Sequence, residues 1–434
     1  MTIGLLDAMG HGNLGDAAIQ DSVIANIKKR LPGVQILGFS FVPEDTINRH
    51  GIPCHPITRP TNTLAPWARQ SYQGAANRWL CSFISRSPRL QRILLTATNV
   101  IAEAKFLSET HALLRDLDIL IFSGGGQLGD LWGGPWGHPY NLFKFALLTK
   151  FAGKRLYFLN VGAEALDHRL SRFFTKSALK LADYVSFRDL ESQDQMQKLG
   201  LRTDNAIYPD PAFALEVSSY LQKSAPGSSP VVGINPIGFC DPRIWPQKNQ
   251  PAYDQYLEKL TYFSRWLLDN GFQLRLFPTS PSVDKYAIAD LTKRLTGHSA
   301  TGKSLPERAN IPENPPPDGA VCAVPCESVT GILSEIARCD YMVTSKYHGV
   351  IFSHLLQKPV IATGYHQKVN TAMQAAGQKQ YSESIENFEP AWLIDSFQSL
   401  VRNREHIRSQ QADAVAQFTQ SLRKQFDDLF SRPH

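Results

Sequence analysis

The stretch Ile119-Leu-Ile-Phe-Ser-Gly-Gly-Gly-Gln-Leu-Gly-Asp130 sets four apolar residues directly before a serine and three consecutive glycines. A short apolar run bounded by glycine reads as a buried strand. The glycines then lie at its carboxyl end, where open α/β sheets bind ligands. Glycine loses more conformational freedom on folding than any other residue, so close approach of a ligand or a neighbouring backbone explains three in a row better than a plain turn. Gly124, Gly125 and Gly126 are therefore candidate binding residues. The aromatic run that follows, Trp132, Trp136 and Tyr140, suits either stacking on a sugar ring or loop packing.

The theme recurs outward in both directions. Apolar runs at Ile3 to Leu6, Val34 to Phe39, Leu156 to Val161, Tyr184 to Phe187 and Ala206 to Tyr208 alternate with helix-period segments. After the Ser-, Pro- and Gly-rich stretch VSSYLQKSAPGSSP, the alternation restarts with Val231 to Asn235, Phe272 to Phe277, Ala320 to Val324, Tyr341 to Thr344 and Val360 to Thr363. A helix is predicted at Tyr253 to Asp269, because Tyr256, Leu257, Leu260, Phe263 and Leu267 follow the 3.6-residue period. Strands alternating with helices predict parallel sheets. The length of 434 residues exceeds one ordinary core. The prediction is therefore an α/β protein with two Rossmann-like domains facing a cleft. The first spans 1–225, with a helical insertion near 59–115, and the second spans 226–390. A helical segment at 391–434 closes the chain.

Composition bounds the rest. With 43% hydrophobic and 19% charged residues and no long apolar run, no membrane span is expected. The start MTIGLLDAMG lacks the pattern of a secretion signal, so a cytoplasmic location is expected. Six cysteines without paired zinc spacing read as reduced structural thiols, and no paired carboxylates stand at ligand spacing, so no metal is expected. A net charge of +6 suits an anionic ligand or a lipid headgroup surface without demanding either, and no nucleic-acid partner is expected. The stretch 300–318, with Pro315, Pro316 and Pro317, reads as an exposed loop. Between Arg59 and Arg92, Arg69, Arg78, Arg86 and Arg89 interleave with Trp67, Trp79, Leu80, Phe83 and Ile84. That pattern admits two readings: helices packing their aromatics inward with solvated arginines, or peripheral contact with a membrane.

Three further motifs carry chemistry. Met9-Gly-His-Gly-Asn-Leu-Gly-Asp16 follows the first strand and opens a helix, so Asn13, Gly15 and Asp16 stand where backbone amides and polar groups can hold an anion or a sugar hydroxyl. It is not the dinucleotide fingerprint, since no acidic residue ends the second strand. Asp16 has an alternative role as the helix cap. Arg188 ends the strand Tyr184 to Phe187, with Asp189 placed to cap the next helix, and a guanidinium there suits bidentate capture of carboxylate or phosphate. Ser345-Lys-Tyr-His348 again follows a strand and opens a helix, bringing a cation, a hydroxyl and an imidazole to its N-terminus. That helix end disfavours a protonated ring, so His348 needs an anionic partner to be charged; a phosphorylated ligand could supply one.

On these residues the chain resembles the polysaccharide pyruvyl transferase family. The resemblance rests on Gly-Asn-Leu-Gly-Asp at 12–16, the triple glycine at 124–126 and Ser-Phe-Arg-Asp at 186–189. It continues with Asp-Pro-Ala at 210–212, and with Ser-x-x-His at 345–348 followed by Leu-x-x-Lys-Pro-Val-Ile and Lys368. It implies a fold similar to the GT-B architecture of many glycosyltransferases. It also implies transfer of a pyruvyl group from phosphoenolpyruvate to two hydroxyls of a sugar in a polysaccharide or its lipid-linked precursor, giving a ketal and phosphate. The implied partners are phosphoenolpyruvate as donor substrate, with no separate cofactor, and an acceptor glycan. A peripheral site at the inner face of the plasma membrane and a homo-oligomer are open.

By the same resemblance Arg188 binds the donor's acidic groups, Lys346 stands where the family usually has an arginine, and Tyr347 replaces the usual aliphatic residue. His348 is the candidate general acid, with Asp16 or Asp130 as base and Lys368 among the binding residues. Lysine keeps the charge at 346 but loses arginine's planar fork. Two other classes compete: a nucleotide-sugar glycosyltransferase of the same architecture, and a non-catalytic glycan-binding member of the family.

Overall fold

The computed structural model describes residues 1–6, 12–59, 88–130, 133–201, 205–221, 229–297 and 319–430. The basic aromatic residues 60–87, Trp132, the proline loop, residues 7–11 and linker residues 222–228 lie outside the described residues.

The chain forms two compact units, Met1–Gly10 with Pro32–Ile207, and His11–Leu31 with Tyr208–His434. The first holds strands β1 (Thr2–Leu6), β2 (Gln35–Ser40), β3 (Cys54–Pro56), β4 (Ile119–Ser123), β5 (Arg155–Val161), β6 (Tyr184–Phe187) and β7 (Ala206–Ile207). Their order is β3-β2-β1-β4-β5-β6-β7, and all pairs are parallel. The second holds β8 (Val231–Asn235), β9 (Gln273–Leu276), β10 (Val321–Ala323), β11 (Tyr341–Thr344), β12 (Val360–Gly364) and β13 (Ser382–Ser384), parallel in the order β10-β9-β8-β11-β12-β13. Each sheet starts at its centre and reverses direction beside its first strand, the doubly wound Rossmann order. The switch points fall between β1 and β4 and between β8 and β11.

Every apolar run singled out in the sequence becomes a strand, because a parallel strand covered by helices on both faces needs continuous apolar residues. All five residues of β4 are buried, and Phe122 stacks on Phe158 of β5 with ring centroids 4.4 Å apart. The edge strands β3 and β13 were not predicted: Cys54-His-Pro56 and Ser382-Glu-Ser384 are three residues each and only half buried, so they carry no apolar run.

The predicted helix at Tyr253 runs Gln250–Asp269, begun by Asn249, whose side chain accepts from Ala252 N. The chain-closing segment is two helices, Pro390–Arg402 and Arg404–Phe430. None of the described helices is long and apolar enough to cross a membrane.

The units differ from a single cut at residue 225. The helix Leu14–Arg30, predicted within the first domain, belongs to the second unit, and the chain passes into that unit at Tyr208. This helix buries Leu14, Ala18, Val23 and Ile27 there. Ser22 Oγ donates to Pro211 O at 2.6 Å, and Arg30 pairs with Asp427 at 2.7 Å while lying over the Phe426 ring. Helical periodicity shows which residues a helix buries, not against what.

Two histidines, His354 fully buried and His138 partly so, link stability to pH. Burial lowers His138 and His354 from 6.5 to about 4. His354 Nδ1 lies 3.0 Å from Gln411 Nε2, which also donates to Lys358 O, so a proton on Nδ1 would face a donor. Below pH 6.5 the unfolded chain binds these protons and the folded chain does not until about pH 4. Stability is therefore complete above pH 6.5 and is lost as pH falls toward 4, by about 3 kcal/mol per ring. Urea midpoints measured between pH 4 and 8 should fall steeply below 6.5, and a flat profile would contradict this account.

Candidate active site

In the second unit the switch point is built by Asn235 at the end of β8 and Thr344 at the end of β11. Thr344 Oγ1 donates to Asn235 Oδ1 at 2.9 Å, Asn235 Nδ2 donates to Phe277 O at 2.9 Å, and Ser345 N donates to Asn235 O. Lys346 N then donates to Thr344 Oγ1, which turns the chain into the helix Tyr347–Leu355. Gly349 permits this turn, since a Cβ there would sit 2.1 Å from Thr344 Oγ1. Behind it, Ser345 Oγ meets the Tyr256 hydroxyl at 2.9 Å and Thr363 Oγ1 at 2.8 Å. Burial pushes the Tyr256 hydroxyl up to about 12, so it stays protonated and serves as a fixed prop.

The ring of His348 is held from two sides. On one, it lies against the first turn of the helix Leu14–Arg30, where a Cβ on Gly15 would come within 1.9 Å of His348 Nδ1. That turn is fixed by Asn13, whose Oδ1 accepts from Gly15 N at 3.0 Å and whose Nδ2 donates to Asp16 Oδ2 at 2.7 Å, while Leu14 N donates to Thr279 O. On the other side, His348 Nε2 lies 3.8 Å from Oδ2 of Asp210, a fully buried carboxylate whose Oδ1 accepts from Ala212 N. The anionic partner that the sequence left to a ligand is thus present within the chain. Asp16 does not cap the helix; Asn13 does, and Asp16 sits in the first turn beside it.

Lys346 is also paired. Its Nζ lies 2.9 Å from Oδ1 of the fully buried Asp284 and 3.3 Å from Ser280 Oγ, while Asp284 Oδ2 accepts from Ser280 N at 2.7 Å and Thr279 N at 3.1 Å. The ring of the half-buried Tyr347 meets that of His348 edge-on, 5.2 Å between centroids. Lys368 follows β12, its ammonium 5.7 Å from the centre of the Tyr365 ring.

The other predicted residues gather in the first unit. Gly124 and Gly125 have φ of 59° and 69°, left-handed values that favour glycine. Gly124 N donates to Leu159 O and Gly162 N to Gly125 O, each at 2.7 Å, so a neighbouring backbone accounts for both glycines. Gly126 has room for a side chain, the nearest atom to an added Cβ being Glu164 Oε1 at 3.9 Å. Arg188 is buried: a Cβ on Gly162 would lie 2.3 Å from its Cζ, so the guanidinium is pressed onto Gly162, whose N–H donates to Gly125 O. Its Nε lies 3.3 Å from Asp189 Oδ2, and Asp189 Oδ1 accepts from Ser192 N, capping the helix Leu190–Lys198 as predicted. Asp130 Oδ2 accepts from His168 N at 3.3 Å. Trp136 packs against Tyr140 and Phe174.

The predicted residues therefore form two sets. Asn13, Gly15, Asp16, Lys346, Tyr347, His348 and Lys368 stand in the second unit, and Gly124 to Gly126 and Arg188 in the first. Three residues escaped the sequence reading of the site. Asp210 was legible as part of Asp-Pro-Ala but without a role. Asp284 and Gly162 meet their partners only through folding, and no local motif marks them.

Two doubly wound parallel sheets, each with polar residues gathered at the switch-point edge, define a protein of the GT-B class. The fold is similar to that of the Neisseria meningitidis UDP-GlcNAc 2-epimerase bound to UDP-GlcNAc, with a TM-score of 0.53 and 10% identity over 98% of this chain and 100% of that one. It is similar to S. aureus MnaA in complex with UDP, with a TM-score of 0.52 and 9% identity over 95% of this chain and 91% of that one. It is also similar to Acinetobacter baumannii MurG, with a TM-score of 0.50 and 11% identity over 98% and 99%. At these identities the likeness is one of fold. The profile of the polysaccharide pyruvyl transferase family matches residues 13–367, and the chain belongs to that family. No curated protein sequence matches the chain.

Proposed function

We propose that the protein transfers a pyruvyl group from phosphoenolpyruvate to two hydroxyls of a sugar in a polysaccharide or its lipid-linked precursor. The observation that carries this reading is His348 held between Gly15 and the buried carboxylate of Asp210. Asp210 supplies the negative charge that an imidazolium needs, and the ring then serves as general acid. A proton moves from the ring to the methylene carbon of the enol phosphate, leaving an oxocarbenium centre at the adjacent carbon. One sugar hydroxyl attacks that centre and gives up its proton to a base, for which Asp16, on the turn that carries Gly15, is the candidate in this unit. Cleavage of the carbon–oxygen bond then releases inorganic phosphate, and the second hydroxyl closes the ketal, losing its own proton.

With Lys346 already matched by Asp284, the amides of the first turn of the helix Tyr347–Leu355 contribute more of the charge stabilisation here than the lysine alone. Arg188 is the corresponding anion-binding element of the first unit.

A second reading is transfer from a nucleotide sugar. It is favoured by the fold neighbours from S. aureus and Neisseria meningitidis, solved with UDP and with UDP-GlcNAc. The two part in one experiment, a coupled phosphate-release assay with phosphoenolpyruvate against a panel of acceptor glycans, run beside calorimetric titration with UDP. Acceptor-dependent phosphate release without UDP binding is the expected result. UDP binding with no release from phosphoenolpyruvate would replace the first reading with the second.

A further inference from the structure

We infer that the first unit docks on an anionic lipid bilayer through the outer faces of the helices His138–Phe151 and Arg169–Leu181. The helix Arg169–Leu181 is amphipathic, and its inner face is already committed: Ser171, Phe174, Thr175, Ala178 and Leu179 are buried in the unit. Its outer face nevertheless carries Leu170 and Phe173, 39% and 56% exposed. Phe173 continues into an apolar surface on the neighbouring helix, since Phe143 lies 5.9 Å from it, centroid to centroid, and Phe151 one end further on is 72% exposed. Trp136, in the turn before that helix, packs on Phe174 and is 66% exposed. Scattered exposed apolar residues are ordinary, but a contiguous aromatic surface marks a contact site.

Charge selects the occupant. Arg169, Arg172, Lys176 and Lys180 flank Leu170 and Phe173, and none of the four is ion-paired among the described residues. Arg172 instead donates to the carbonyls of Leu166 and Asp167. The first turn of this helix holds no acid, so Arg169 and Arg172 sit at the positive end of the helix dipole, an arrangement that costs stability in the isolated protein and gains it beside an anionic surface. Lysines and arginines around exposed phenylalanine, tryptophan and leucine are the recognition chemistry of an interfacial helix on anionic lipid. Both helices begin at the carboxyl edge of β4 and β5, the edge that carries the triple glycine. The inference stands whichever group is transferred, and it places the surface on residues apart from 60–87.

Flotation of the full chain with vesicles tests it. The protein should float with phosphatidylcholine vesicles containing phosphatidylglycerol and not with phosphatidylcholine alone, and binding should fall as NaCl rises from about 50 to about 300 mM. The combined variant Arg169→Gln, Lys176→Gln, Lys180→Gln should lose about 100-fold in partitioning. Leu170→Ser with Phe173→Ser should also abolish flotation, with an unchanged far-UV spectrum. Wild-type protein that fails to float, or variants that float like wild type, would overturn the inference. So would a dimer in light scattering that the Leu170→Ser, Phe173→Ser variant converts to monomer, which would assign the surface to a second copy of the chain.

Discussion

Gly15→Ala is expected to lower acceptor-dependent turnover about as far as His348→Ala does, by roughly 1,000-fold, which is within the usual contribution of a positioned general acid. The argument is steric. A Cβ on Gly15 would lie 1.9 Å from Nδ1, 2.2 Å from Cγ and 2.6 Å from Cε1 of His348, so the methyl group occupies the volume of the ring itself. Either the imidazole leaves Asp210 or the helix Leu14–Arg30 shifts. The second is resisted by the Leu14 N bond to Thr279 O, the Ser22 bond to Pro211 O and the Arg30 pair with Asp427. The ring therefore moves. Elsewhere on an exposed helix the same change raises stability, because alanine restricts the unfolded chain. The measurement is the rate of phosphate release under saturating donor and acceptor, alongside the urea midpoint. Gly15→Ala protein that turns over at the wild-type rate would remove His348 from the reaction as placed here.

Lys346→Met is expected to destabilise the second unit by about 3 kcal/mol, because it leaves a fully buried carboxylate without its cation. Asp284 is inaccessible to solvent, and Lys346 Nζ at 2.9 Å is the cation that faces its Oδ1. The amides of Thr279 and Ser280 on Oδ2 offset part of the loss, which places the effect at the lower end for a broken buried pair. Lys346→Arg keeps the charge and should retain most of the stability. In the double variant Lys346→Met, Asp284→Asn the unmatched charge is gone, so its loss should be smaller than the sum of the single losses. A double-mutant cycle on urea midpoints reads that coupling directly. Strictly additive losses would show that the two side chains do not act as a pair. Such a result would return Lys346 to the role of an unmatched cation for the donor.

The extent to which the site was readable follows from how its parts are encoded. Motifs that sit at strand ends, such as Gly124 to Gly126 after β4 and Ser345 to His348 after β11, are local: an apolar run, a polar turn and a helix start occupy adjacent positions. Arg188 and its capping neighbour Asp189 are local in the same way. Pairings across the chain have no such signature. Asp210 and His348 are far apart in sequence, as are Asp284 and Lys346, and nothing in either segment alone names its partner. The same limit applies to the burial of Arg188, which depends on Gly162 lying flat beneath it.

By itself the sequence determined the doubly wound parallel sheets, because continuous apolar runs ending in glycine or polar turns can be satisfied only as covered parallel strands. It also determined which edge of each sheet carries the polar residues, since the motifs follow the strands directly. Tertiary structure alone decided that the helix Leu14–Arg30 joins the second unit, that Asp210 stands beside His348, and that Lys346 is already paired. The physical reason is range. Strand and helix formation are governed by neighbours a few residues away, whereas burial against a distant surface and the matching of one buried charge by another exist only once the chain has closed on itself.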